Sequence, residues 1–158
     1  MNWPSSVLWG FVGTVVLTSL LSGGQALGLT RMSFPFMLGT MLVPDRNRAV
    51  AIGFALHFLN GWLFAFIYTA AFESWGRAAW WLGAAIGLVQ AFFILAVAMP
   101  LLPALHPRMA SERQGPTPTM QLEPPGFLAL HYGRRTPLAV LIAHVAYGAL
   151  LGAFYHLA

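Results

Sequence analysis

A chain of 158 residues that is 58% hydrophobic and only 8% charged, with a mean hydropathy of +0.71, falls outside the usual range of a soluble globular domain. Its formal charge of +4 comes from eight Arg and no Lys against four acids, and because those Arg do not gather on one face they argue against nucleic acid as a partner. The lack of Cys excludes disulfides, iron–sulfur clusters and thiolate chemistry.

Four stretches without Asp, Glu, Lys or Arg reach the roughly 20 residues that a helix needs to cross an apolar layer about 30 Å thick. They predict spans over residues 7–28, 49–72, 78–103 and 137–157. None alternates as a membrane strand does, and only helices or closed barrels satisfy the backbone in lipid, so the expected fold is an all-α, four-helix transmembrane bundle forming one domain. The first stretch follows Met-Asn-Trp-Pro-Ser-Ser without a basic region and reads as a span rather than a cleaved leader.

Between the first two spans, residues 29–48 carry Arg31, Arg46 and Arg48. Within them residues 34–43 are apolar and bounded by Pro35 and Pro44, which suits an interfacial or re-entrant piece too short to cross. Between the last two spans, residues 104–136 carry Arg108, Arg113, Arg134 and Arg135, with Pro107, Pro116, Pro118, Pro124 and Pro125 precluding one continuous helix. The short apolar piece 127–130 is expected to dip toward the membrane surface. Only Arg77 lies on the other side, so seven of eight Arg place both long loops inside and both termini outside. Trp3, Trp9, Trp75, Trp80 and Trp81 all fall at the outer ends, where indoles anchor in the interface. The expected location is a bacterial inner membrane, crossed several times.

The chain also repeats itself. His57-x3-Gly61-x6-Tyr68 in the second span recurs as His144-x3-Gly148-x6-Tyr155 in the fourth, and the same offset of 87 relates Gly39 to Gly126 and Arg48 to Arg135. Two helices per repeat predict two parallel halves related by a pseudo-twofold along the membrane normal.

In lipid, helices associate through small residues spaced four apart. Such ladders are Gly10, Thr14, Thr18 and Ser22 in the first span, and Gly53, His57, Gly61 and Ala65 in the second. The third has Ala79, Gly83, Gly87 and Ala91, and the fourth His144, Gly148, Gly152 and His156. His57 and His144 thus sit within contact faces, at one depth roughly 12 Å from the inner boundary.

Two readings of that pair follow. A neutral imidazole can fix helix register by bonding a neighbouring helix. Alternatively, two His at one depth, each with Gly four residues on, meet the needs of bis-His haem b, the Gly letting a macrocycle or a facing helix come close. A metal site is poorly supplied by two imidazoles without a carboxylate, and His106, His131 and His156 lie near the surfaces. Asp45, Glu73, Glu112 and Glu123 form no motif, so no catalytic residue is assigned. Asn60 and Gln90 are expected as interhelical hydrogen-bond partners.

The run Met37-Leu38-Gly39-Thr40-Met41, then Pro44, then the two His-x3-Gly motifs, resembles a bacterial family of small four-helix integral membrane proteins of unknown function. The resemblance implies fold and membrane location and transfers no site residue. The leading expectation is a non-catalytic inner-membrane accessory or assembly subunit, partnered by the bilayer and by other membrane subunits or itself. The alternatives are a haem b or quinone-binding electron-transfer anchor and a small transporter or channel for a neutral solute.

Overall fold

The computed structural model describes residues 1–111 and 122–158; Glu112, Arg113, Pro116 and Pro118 lie outside the described residues. The described chain is helical, and four of its helical segments are long and apolar enough to cross a membrane. The first is α1, Trp3–Ala26. Asn2 starts it, accepting the Ser5 N–H through its side chain, and Gly28, at φ +70°, turns the chain away. After the short α2, Phe34–Thr40, the second span α3 covers Arg46–Ser74. It begins three residues before the apolar run because the Asp45 carboxylate caps the Arg48 N–H at 2.8 Å, and it stops before Gly76 at φ +61°.

The third span, Trp80–Leu105, is divided into α4, Trp80–Phe93, a π turn, Ile94–Ala98, and α5, Met99–Leu105. The widened turn has a local cause. Pro100 has no N–H for the carbonyl four residues back, and the Met99 N–H reaches instead to the Ile94 carbonyl, five back. The fourth span, α6, covers Thr136–Phe154; Tyr155 leaves it in an extended conformation.

The helices stand in the order α3, α1, α6, α4, with α3 also leaning on α6. Backbone meets backbone most closely between α4 and α6: a Cβ on Gly83 would collide with the Gly148 carbonyl, one on Gly87 with the His144 carbonyl, and one on Gly152 with the Ala79 carbonyl. The α1–α3 seam uses corresponding places, since a Cβ on Gly10 would meet Ala65 and one on Gly61 would meet Thr14. Gly53 faces the Pro35 carbonyl, so it seats the short α2 and not another span. The Thr14 and Thr18 hydroxyls donate to the Gly10 and Thr14 carbonyls of their own helix, at 2.7 and 2.6 Å, and so carry no unpaired donor into lipid.

Each end of the bundle is clasped by its own side chains. At the end with the termini, the Tyr155 hydroxyl donates to Glu73 at 2.6 Å and accepts from the Asn2 N–H at 2.9 Å. At the loop end, Thr30 and Thr136 share a 2.7 Å bond, Arg31 donates to the His131 carbonyl at 2.6 Å, and Arg108 donates to the Thr40 carbonyl at 2.7 Å. The piece expected to dip forms a kinked run of turns, Phe127–Tyr132, with Leu128 and Ala129 at positive φ; Ala129 is buried while Phe127 and Leu130 stay exposed.

Candidate functional site

The outer helices α3 and α4 do not pack along their lengths. One bond bridges them: the Tyr68 hydroxyl donates to Gln90 Oε1 at 2.6 Å. Toward the loop end from that bridge lies a cavity of about 60 Å³. Leu17, Phe64, Ile94 and Val140 make its apolar wall, and His57, Asn60, Gln90, His144 and Tyr147 supply the polar atoms. The π turn opens at Ile94, on the cavity wall, so the one irregular turn among the described spans adjoins the one gap between outer helices.

The two histidines differ in their bonding. His144 Nδ1 donates to the Val140 carbonyl one turn back at 2.8 Å, which leaves Nε2 as an acceptor. His57 is 5% exposed, and neither of its ring nitrogens has a hydrogen-bond partner among the described residues. Among the described residues its ring meets that of Phe34, in a T-shaped contact with centroids 5.2 Å apart. An unpaired buried polar group costs about 1–3 kcal/mol, so a ring placed this way is a charge on stability that packing alone does not explain.

The glycines of the His-x3-Gly motifs face neighbouring helices. Thr14 fills the space over Gly61, and Gly83 with Tyr68 fills that over Gly148, so neither leaves a slot for a flat macrocycle. Tyr147 crosses the centre, its hydroxyl donating to the Gly61 carbonyl at 2.6 Å and its ring lying against Gly13. The two repeat tyrosines do different work, Tyr68 bridging to Gln90 and Tyr155 closing the terminal end.

The bridge also sets the chemistry of Gln90. With Oε1 engaged by Tyr68, its amide NH2 is the part left to donate, and the Asn60 amide is a further donor on the same cavity. Phe34 escaped the sequence reading because nothing in its spacing ties it to His57. Glu73, read as an isolated acid, is the acceptor that gathers Tyr155, the Ala158 N–H and the N-terminus. Among the described residues no group of three or more His, Asp or Glu could hold a metal ion. No family model, curated protein or solved structure matches the chain.

Proposed function

We propose that the chain is a non-catalytic, multi-pass protein of the bacterial inner membrane that holds a lipid-soluble molecule with a hydrogen-bonding head in the cavity between α3 and α4. The observation that carries this reading is His57, buried on the cavity wall with both nitrogens unpaired. Donors from Asn60 and Gln90 around an apolar wall match a neutral ring bearing carbonyl acceptors, which is the chemistry of a quinone head. The gap between α3 and α4 lets such a molecule arrive from the bilayer. Haem has weaker support, because the faces of Gly61 and Gly148 are taken by Thr14, Gly83 and Tyr68.

Such a protein suits service as an accessory subunit of a larger membrane complex, delivering or storing its ligand. The loop ends described here bond within the chain, however, so they supply no argument for an outside partner. Orientation with both termini outside is supported by the seven Arg on the long loops. Descent from a duplicated helix pair is supported by contacts at matching places, Gly10 with Ala65 and Gly61 with Thr14 in one pair, Ala79 with Gly152 and Gly83 with Gly148 in the other.

The test is a titration of the purified protein in lipid nanodiscs with a short-tailed benzoquinone, read by tryptophan fluorescence. Saturable binding is expected, weakened about tenfold or more by Asn60→Leu, since a lost bond to a buried acceptor is worth about 1–3 kcal/mol. Absence of saturable binding refutes the quinone reading, and a haem band in a reduced-minus-oxidised spectrum would replace it.

A further inference from the structure

The seam between α1 and α3 stops short of the loop end. Gly61 and Ala65 of the α3 ladder close on α1, but Gly53, further toward the loops, is covered by the Pro35 carbonyl of α2. With α2 seated there, α1 and α3 are parted by a cavity of about 220 Å³, with Leu21, Ser22 and Gln25 on one side and Val50 and Phe54 on the other. A neighbouring cavity, also of about 220 Å³, shares Gln25, Met32 and Ser33 with it and continues to the loop end, where Arg31 and Arg46 are its charged lining residues.

Both cations keep donors free. Arg31 bonds the His131 carbonyl at 2.6 Å and Glu123 at 3.3 Å through one terminal nitrogen, Nη2, which leaves Nη1 and Nε. The Arg46 guanidinium lies 5.0 Å over the Phe36 ring, a stacking that leaves its N–H groups pointing outward in their own plane, and it has no salt bridge among the described residues. Ser33 opens α2 without using its hydroxyl as a cap. Deeper along α1, Gln25 and Ser22 stand exposed about one turn apart, and beyond them the Thr18 hydroxyl is committed to the Thr14 carbonyl. The wall therefore passes from cationic, through neutral polar, to apolar at Leu21, Val50 and Phe54.

We propose that the two cavities form one groove for a single anionic phospholipid of the leaflet at the loop end. Its phosphate is held by Arg31, Arg46 and Ser33, its ester carbonyls by Gln25 and Ser22, and one acyl chain lies in the opening between α1 and α3. The order of groups down the wall is the order of groups in such a lipid. A guanidinium gives parallel N–H bonds to two phosphate oxygens, and a basic recess between helices at a membrane surface selects acidic headgroups. Positive charge alone does not make the site: Arg134 and Arg135 are exposed at the same end and line neither cavity. None of the five polar groups lines the cavity between α3 and α4, so the proposal stands apart from the ligand placed there.

Native mass spectrometry of the whole chain released from detergent tests the groove, with phosphatidylglycerol and phosphatidylcholine of the same acyl chains as probes. One phosphatidylglycerol is expected to bind about tenfold or more tightly than phosphatidylcholine. Arg46→Gln, which removes the stacked cation, should weaken it about fivefold, while Arg135→Gln, with the same change of charge, should stay within about twofold of the parent. Equal affinity for the two lipids, or equal losses from the two variants, would overturn the proposal. Inorganic phosphate in about tenfold excess over the lipid should leave most of it bound, and complete displacement would make this an ion site and overturn the lipid. Should Arg46→Gln fail to fold, the unmodified protein in nanodiscs gives a second reading, with a phosphatidylglycerol carrying a diazirine in one acyl chain. Cross-links are expected to gather on residues 18–25 and 50–54, and an even spread over the four spans would refute the groove.

Discussion

The α4–α6 seam and the α3–α4 gap share α4 and show opposite solutions to the same problem. Along the seam, Gly83, Gly87, Gly148 and Gly152 remove side chains so that backbone lies on backbone. In the gap, Asn60 and Phe64 of α3 face Gln90 of α4 and Ile94 of the π turn across open space, bridged by Tyr68. In lipid, where apolar surface gains nothing by hiding from its surroundings, close packing is the main source of helix association. A gap kept open in such a bundle forgoes that stabilisation, and the polar atoms concentrated there give the reason.

If the two regions divide stability and function in this way, substitutions should sort by region. The largest effect is expected at the seam: Gly83→Val drives a side chain into the Gly148 carbonyl and should cost about 3 kcal/mol or more in a detergent unfolding titration, whereas the lipid-facing Leu63→Val should stay within about 0.5 kcal/mol. Equal losses would show that the seam holds no special share of the stability. A smaller effect is expected where the seam side meets the cavity. Tyr147→Phe leaves the Gly61 carbonyl short of a donor and should cost about 1–2 kcal/mol by the same titration.

The smallest effect sharpens the contrast between the bundle and its loop clasp. His106 Nδ1 accepts the Arg108 N–H at 3.1 Å and its Nε2 donates to the Met37 carbonyl at 2.9 Å, an arrangement only the neutral ring can make. Burial, seconded by the Arg108 charge, lowers its pKa below the ordinary 6.5 despite the Met37 carbonyl. A depressed value means that its contribution to docking α2 is complete above that ordinary value and is lost as the pH falls through the folded one. Amide exchange over residues 34–40, normalised to the intrinsic rate at each pH, should therefore quicken about severalfold from pH 7.5 to pH 5, while α4 and α6 stay protected. Unchanged exchange would remove His106 from the clasp.

Much of the bundle was legible because membrane spans declare themselves by length and charge alone. The small-residue ladders also pointed to real seams, since a Gly83 or Gly148 in an apolar helix has little use except to let another backbone close. The His57 and His144 spacing brought both rings to one cavity. What stayed hidden was the departure from symmetry. A pseudo-twofold would close α3 on α4 as α1 closes on α6, and nothing in the repeated motif says that one of these contacts is withheld. The π turn was equally silent, because Pro100 announces a break in the helix ladder without saying whether the chain kinks or widens. Phe34 and the α2 docking depend on Gly39 and Gly53 meeting across a loop, a contact set by tertiary packing and carried by no periodicity.

The account rests on His57 being retained for what it binds and not for what it holds together. Its direct trial is the pair His57→Leu and parent protein, each unfolded in detergent and titrated with the short-tailed benzoquinone. Replacing an unpaired buried imidazole by an apolar side chain should leave stability equal or raise it, by up to about 2 kcal/mol, while binding disappears. A variant that loses stability by about 1 kcal/mol or more yet binds as before would make His57 a structural residue and contradict the account.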